Sequence, residues 1–325
     1  MTSRQRKRLQ KILTMMKSCT ESGVPGVLKI VGKKPGIVLG ISVCTHGNEP
    51  SGLAALDYLW NELDLQKRLN RGAVYFVVNN LEAAENYLWN GERGKNNRYR
   101  LIDWNMNRLP EDMLHLTNDK RYEVQRAQEL FPIWQQLEVG FDIHSTTQDS
   151  PPMLIGGRVP LKLVHDFPIE MMLTNIDVVQ KGLPAFGFYG QSKKEIPVFE
   201  IEAGQHEKQS SFKRAQECVG RLLRNLDMID SRPLPGKKPM ERPSRKLLEY
   251  RICGSIFSPD KSYRCTRVFK NGEFVSKGTP FLTGNGKDII APYDCHTLFC
   301  PADRKPRSLI DEVMFLSSPV VVHAK

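Results

Sequence analysis

The sequence has no long apolar run and no disulfide pattern. No apolar stretch approaches the roughly 20 residues of a membrane-spanning helix, and no apolar core of about 7–15 residues follows the basic N-terminus, as it would in a signal peptide. The seven cysteines are scattered and odd in number, without a CxxC pair, which argues against a disulfide framework or a cysteine-built zinc site. We therefore expect a cytoplasmic protein with reduced, mostly buried thiols and no membrane partner.

Basic residues are not massed in one segment either. The formal net charge is +11, but the lysines and arginines are spread along the 325 residues, so we expect no nucleic-acid partner. A diffuse positive field instead steers small anions toward a cleft. A non-enzymatic protein that binds through this basic surface remains a distant alternative.

One shift in composition divides the chain. The segment Ser231–Ser244 contains four prolines and a glycine, which exclude a regular helix or central strand and predict a linker at residues 231–244. Residues 1–230 alternate apolar strands with helices, the pattern of an α/β domain with a largely parallel sheet. Residues 245–325 hold short strand-like runs punctuated by turn signals such as Asn271-Gly272, typical of a small all-β domain. The predicted strands of the first domain are Ile37–Val43, Ala73–Val78, Val139–Ile143 and Val198–Ile201. The predicted helices cover about Arg4–Cys19, Ser51–Leu63, Leu81–Trp89 and Ser211–Ile229.

Three candidate metal ligands follow two of these strands. His46 and Glu49 lie three residues apart at the start of a helix, so both side chains can reach one ion. His144 leaves a second strand, and ligands in open α/β sheets sit just beyond the carboxyl ends of strands. Two imidazoles and a carboxylate, with a fourth position left to water, form a catalytic zinc shell. We therefore predict one zinc ion per chain, although the sequence does not exclude another divalent ion.

The residues around the ligands give further candidates. Asp142 lies two residues before His144 and could orient its ring, or it could serve packing alone. A zinc-activated water needs a proton acceptor, and Glu202 at the end of the Val198–Ile201 strand is preferred over Glu200, which shares its face. We interpret the remaining histidines as surface residues: His115, His165, His206, His296 and His323.

A donor-rich segment lies between the two halves of the metal site. Its guanidinium and amide groups grip carboxylates and seat an oxyanion, so it is a candidate substrate clamp. Its donors are Arg98, Arg100, Asn105, Asn107 and Arg108.

Together, these segments resemble the succinylglutamate desuccinylase and aspartoacylase family, whose fold is that of zinc carboxypeptidases. The order of the motifs is the family's, and they span residues 42–204. The motifs are His46-Gly-Asn-Glu49, Arg100 with Asn105-Met-Asn-Arg108, Asp142-Ile-His144 and Ile201-Glu-Ala-Gly204. The resemblance implies an α/β fold with a mixed sheet flanked by helices and a small C-terminal β domain.

The resemblance also implies a role for each motif. Zinc would be bound by His46, Glu49 and His144. Glu202 would be the general base and acid on the zinc water, and Arg100 would polarise the scissile carbonyl. Asn107 and Arg108 would hold the carboxylate of an N-acyl amino acid.

Two departures from the family concern the substrate. The family often has Asp where this chain has Asn105, a change that would loosen the hold on a neighbouring arginine. Aspartoacylases place an arginine about ten residues before the catalytic glutamate to bind the acyl carboxylate. Here, Lys193 and Lys194 occupy that stretch and would bind the anion as point charges.

The predicted function is zinc-dependent hydrolysis of the amide bond of a small anionic N-acyl amino acid. A zinc carboxypeptidase acting on short peptides is the alternative, since the same metal and arginine set serves both. The sequence does not name the acyl group, the amino acid or the oligomeric state, and a homo-oligomer stays open.

Overall fold

The computed structural model describes most of the chain, which divides into two compact units. The first unit contains residues 1–154, 158–169 and 182–243, and the second contains residues 155–157, 170–181 and 244–325. The described residues are 1–91, 96–110, 112, 116, 118–156, 160–180, 196–235, 246–301, 312–318 and 321–324. Among them, no helix combines the length and the apolarity needed to cross a membrane.

The first helix shows how local sequence sets the helix bounds. α1 (Ser3–Ser18) begins at a capping box in which Thr2 and Gln5 exchange hydrogen bonds between side chain and backbone. Its apolar residues recur at helical spacing and are buried: Leu9, Ile12, Leu13 and Met16. The other α-helices are α2 (Ser51–Asn61), α3 (Leu65–Arg68), α4 (Leu81–Asn90), α5 (Tyr122–Trp134), α6 (Leu161–Val164), α7 (Ile176–Val179) and α8 (Gln209–Asn225). Short 3-10 helices cover Glu21–Gly23, Asn96–Tyr99 and Met106–Arg108.

A mixed sheet forms the centre of the first unit. The strands of the chain's first two thirds are β1 (Val27–Val31), β2 (Lys34–Val43), β3 (Arg71–Val78), β4 (Val139–Thr146), β5 (Met153–Ile155), β6 (Met171–Thr174) and β7 (Val198–Gln205). The order is β1-β3-β2-β4-β7-β5, in which β2 is parallel to β3 and β4, β4 is parallel to β7, and β1 is antiparallel to β3. Helix α2 contacts β2 and β4, and α8 contacts β7 and α2. The predicted α/β fold, with a mixed sheet flanked by helices, is confirmed.

The register of this sheet aligns three strand ends. Ser42 of β2 lies opposite Asp142 of β4, and His144 of β4 lies opposite Glu202 of β7. The chain then leaves β2 through Cys44, a non-glycine residue with a φ of 55°. This left-handed turn leads directly into the Thr45-His46 segment, so the candidate residues gather at one edge of the sheet.

Helix α5 has no counterpart among the predicted helices. Its buried face is apolar at helical spacing, and five of its side chains have no exposed surface: Val124, Ala127, Leu130, Ile133 and Trp134. They pack with Tyr75 and Val77 of β3 and with Met106 in one core cluster. Helix α5 therefore supports the loop of residues 100–108 through its packing against Met106.

The second unit is built mainly from antiparallel strands. Its later strands are β8 (Lys246–Ile256), β9 (Arg264–Cys265), β10 (Glu273–Val275), β11 (Pro280–Gly284), β12 (Lys287–Ile290), β13 (Cys295–Leu298), β14 (Met314–Ser317) and β15 (Val321–Ala324). One sheet has the order β6-β8-β14-β13-β10, with β15 also paired to β8, and a second has the order β12-β11-β9. The expected small antiparallel sheet is therefore present.

The division of the chain into units differs in two respects from the predicted boundaries at residues 230 and 245. Strand β6 and helix α7 precede the proline-rich segment but belong to the second unit, and β6 pairs with β8 in parallel. Residues 231–235 of the predicted linker belong to the first unit, and residues 236–244 lie outside the described residues.

Candidate active site

Glu49 is the centre of the site. Its Oε1 lies 2.7 Å from Nδ1 of His46, and its Oε2 lies 2.8 Å from Nδ1 of His144. All three residues are buried, and each offers a ligand atom within 4.8 Å of the other two. The structure therefore brings together the three predicted metal ligands, with the same nitrogen of each ring turned inward.

Each histidine has an acceptor at its outer nitrogen. Nε2 of His46 lies 3.0 Å from Oδ1 of Asn105, and Nε2 of His144 lies 3.0 Å from Oδ2 of Asp142. The same nitrogen of His144 is 3.4 Å from Oε2 of Glu200. Such contacts fix the tautomer and the direction of a metal-binding imidazole. The outer nitrogen of His144 thus faces carboxylates, whereas the outer nitrogen of His46 faces a neutral amide.

The donor set fits a catalytic zinc site. Two imidazole nitrogens and one carboxylate converge from two segments, and both outer nitrogens contact acceptors, so the inner nitrogens can serve as metal ligands together with Glu49. Structural zinc sites are instead closed by four protein ligands. The second group of possible ligands, Asp142, His144 and Glu200, shares His144 and lies behind its ring.

Burial and charge shift the pKa values of the three ligands. For His46, burial and the neighbouring Arg100 lower the pKa. For His144, burial lowers the pKa, but the charges of Asp142, Glu49 and Glu200 outweigh it and hold the pKa well above the usual value. For Glu49, burial raises the pKa, but the two histidines outweigh it and hold the pKa well below the usual value. The three groups thus form one strongly interacting unit.

Glu202 lies opposite His144 on the neighbouring strand. Burial, the charge of Glu49 and the charge of Glu200 raise its pKa well above the usual value, although His144 and Arg100 oppose them. Its Oε2 is buried and has no hydrogen-bond partner among the described residues. Burial likewise raises the pKa of Glu200 to about 7. A carboxyl group with a raised pKa beside a metal site has the properties of a general acid and base.

The loop of residues 100–108 reaches the site through Arg100 and Asn105. Arg100 Nη1 lies 3.1 Å from Glu49 Oε1, which places a guanidinium next to the candidate ligands. Asn105 accepts from His46 and from Asn107 N (2.9 Å), so it faces the metal site rather than an arginine. Arg108 Nη1 donates to Asn107 O (2.8 Å), and both side chains are half-buried.

Sequence reasoning missed the group that anchors this loop. Glu123, in the first turn of α5, has no exposed surface. Its carboxylate accepts from the backbone N–H groups of Ile102 (2.6 Å), Asp103 (2.9 Å) and Trp104 (2.9 Å). It also accepts from Asn80 Nδ2 at 2.9 Å. No local motif marks this role, because the loop and the helix meet only in the folded protein.

The interpretation of His206 as a surface residue is wrong. It lies directly after β7, is only 6% exposed, and contacts Ser145 through Nδ1 (2.9 Å). It directly follows the observed end of β7 at Gln205, which lies beyond the predicted strand end at Ile201, so the sequence pattern did not mark it. His165 is exposed as expected. Lys193, Lys194 and His115 lie outside the described residues.

A family model matches the part of the chain that carries most of this site. The catalytic-domain model of succinylglutamate desuccinylases and aspartoacylases matches residues 35–176. The resemblance to this family is confirmed. The match contains the three candidate ligands and the loop of residues 100–108, and it ends before Glu202. No curated protein matches the chain.

Solved structures with this fold include members of the same family. Succinylglutamate desuccinylase from Vibrio cholerae has a TM-score of 0.68 at 16% identity and covers 97% of this chain and 98% of its own. The enzyme from Vibrio parahaemolyticus has a TM-score of 0.65 at 14% identity, with coverages of 91% and 89%. Murine aminoacylase 3 has a TM-score of 0.60 at 18% identity, with coverages of 90% and 98%. At these identities, the likeness is one of fold.

Proposed function

We propose that this protein is a zinc-dependent hydrolase that cleaves the amide bond of an N-acyl amino acid. The observation that carries the proposal is the convergence of His46, Glu49 and His144 on one point, with an acceptor behind each ring. The family match supports a deacylase, since both activities in the family name remove an acyl group from an amino acid. We further propose that the enzyme acts in the cytoplasm.

The proposed reaction depends on two side chains besides the ligands. Bound zinc supplies a Lewis acid and lowers the pKa of water to about 7. Glu202 accepts the proton of the attacking water, because burial raises the pKa of its carboxyl group and so favours the protonated form. Arg100 donates to the scissile carbonyl oxygen and stabilises the negative charge that develops there. Glu202 then returns the proton to the leaving nitrogen.

The rest of the loop is the proposed clamp for the substrate. Asn107 and Arg108 hold the carboxylate of the amino acid, and Asn105 belongs to the same clamp while it orients His46. Lys193 and Lys194 attract the carboxylate of an acidic acyl group. An anionic N-acyl amino acid is therefore the proposed partner.

The test combines zinc content with amidase turnover. We expect His144→Ala to lose stoichiometric zinc, and Glu202→Gln to keep zinc but lose turnover, because Gln cannot accept the proton. His165→Ala is the matched control, since His165 is exposed and lies in the first unit. A His144→Ala variant with full zinc and full activity would overturn the site assignment.

The substrate class is tested with a small panel. Comparing kcat/KM for N-acetyl, N-succinyl and N-formyl amino acids with that for dipeptides separates a deacylase from a carboxypeptidase. We expect the N-acyl amino acids to be preferred. A clear preference for dipeptides would favour the carboxypeptidase.

A further inference from the structure

His206 contacts both segments that supply the candidate metal ligands. It lies in the turn after β7, the strand that carries Glu202, and its backbone N–H donates to Thr146 O (2.8 Å). Its ring Nδ1 is 2.9 Å from Ser145 Oγ, and its Nε2 is 3.5 Å from Asn48 Nδ2. The proposed reaction does not use this buried ring.

The neighbours of the ring determine where its proton lies. An amide nitrogen can only donate, so Asn48 Nδ2 requires Nε2 of His206 to be the acceptor. The proton then lies on Nδ1, which donates to Ser145 Oγ. Thr147 Oγ1, 3.2 Å from Nε2, is placed to donate to the same nitrogen. A neutral ring with its proton on Nδ1 is therefore compatible with all three contacts.

Both contacted segments lead to Glu49. Ser145 is the residue after His144, and its backbone N–H donates to Glu49 Oε2 at 3.2 Å. Asn48 immediately precedes Glu49 and is fully buried. The His206 ring thus contacts both Asn48, which precedes Glu49, and Ser145, whose backbone N–H binds the Glu49 carboxylate. It links these two residues to β7, the strand that carries Glu202.

We propose that His206 is a positioning residue. It holds the Glu49 carboxylate in the direction that the metal requires and fixes the position of this ligand relative to Glu202. The inference rests on the proposed function. Loss of the ring would let the Ser145 segment and the Asn48 segment move apart, which loosens the carboxylate between them.

The test measures zinc affinity by chelator competition, and kcat for zinc-saturated protein. We expect His206→Ala to weaken zinc binding by about 10–100-fold, the usual effect of removing a group that supports a metal ligand, and to lower kcat. His206→Asn should recover part of the loss, because its amide nitrogen takes the place of Nδ1 and donates to Ser145. His165→Ala serves as the control for loss of an exposed histidine and should match the wild type.

A double-mutant cycle separates positioning from general support of the fold. If His206 acts through Ser145, the effect of His206→Ala on zinc affinity shrinks in a Ser145→Ala background. A residue that only fills space would lower the melting temperature of the metal-free protein and leave the zinc affinity and the pairwise coupling unchanged. Should His206→Ala fail to fold, His206→Asn and Ser145→Ala still give the comparison, and a Ser145→Ala variant with wild-type zinc affinity would count against the proposal.

The outcomes distinguish this inference from the function on which it rests. A wild-type protein that binds no zinc would overturn both. A zinc-binding, active wild type whose folded His206→Ala variant has the same zinc affinity and kcat would overturn the positioning role alone.

Discussion

Asn105 gives the sharpest test of the proposed metal site. Its Oδ1 accepts from Nε2 of His46 at 3.0 Å, whereas the matching nitrogen of His144 faces the carboxylate of Asp142. A hydrogen bond with an ionised acceptor is roughly twice as strong as a neutral one, whose net worth is about 1 kcal/mol. Asn105→Asp should therefore strengthen the His46 contact by about 1 kcal/mol, which corresponds to roughly fivefold tighter zinc binding.

The opposite change removes the acceptor. Asn105→Leu leaves a buried N–H of His46 without a partner, at a cost of about 1–3 kcal/mol. We expect zinc binding to weaken by about 10–100-fold. Zinc competition with a chelator measures both variants, and it is best done well above the usual histidine pKa of about 6.5, because the new carboxylate also favours protonation of His46.

A second charge variant controls for electrostatics at long range. Asn107→Asp adds the same charge to the same loop, while Asn105 still occupies the outer nitrogen of His46. Its effect on zinc affinity should be smaller. If Asn105→Asp binds zinc no more tightly than the wild type, or if Asn107→Asp has the same effect, the acceptor behind His46 does not tune the metal site.

Two further predictions concern the support of each unit. Glu123→Gln removes one of the two carboxylate oxygens that accept from the three backbone N–H groups of the loop. We expect kcat/KM to fall by about tenfold or more, while the helix content measured by circular dichroism stays unchanged. A wild-type kcat/KM would refute the anchoring role. For Glu249, burial raises the pKa, but hydrogen bonds from Thr174 and His323 outweigh it and hold the pKa below its usual value. A lowered carboxyl pKa stabilises the fold above the unfolded value and loses that contribution as pH falls through the folded value. In urea unfolding, the stability difference between the wild type and Glu249→Gln should therefore narrow below about pH 4.5, and a constant difference would contradict this.

The candidate site could be predicted as far as it depends on strand ends. His46 follows β2, and His144 and Glu202 lie in the C-terminal halves of β4 and β7. Parallel strands bring their carboxyl ends to one edge of the sheet. His206 follows β7 as the structure has it, but it lies beyond the predicted strand end at Ile201, and its contact with Ser145 of β4 forms only in the folded protein. The 3.6-residue spacing of its apolar residues also indicates helix α5. The anchoring role of Glu123 could not be predicted, because a carboxylate that binds a distant loop has no local pattern.

The metal-site prediction left one feature of the substrate loop undetermined. The sequence pattern grouped Asn105 with the substrate residues, since asparagine beside arginine is typical of an anion clamp. The structure turns its oxygen toward His46. Side-chain direction in a loop depends on how that loop is anchored, here by Glu123, and spacing alone does not determine it.

The path of the chain has a consequence for how this protein can be divided. Strand β6 lies before the proline-rich segment in sequence but pairs with β8, which lies after it. A protein cut at residue 235 would keep β6 beside β5 but lose β8, which would expose one backbone edge of Met171–Thr174 and the buried side chain of Leu173. Residues 1–235 are thus not a separable module. We expect shuffling or deletion of the C-terminal β strands to produce a chain prone to aggregate rather than a smaller folded protein.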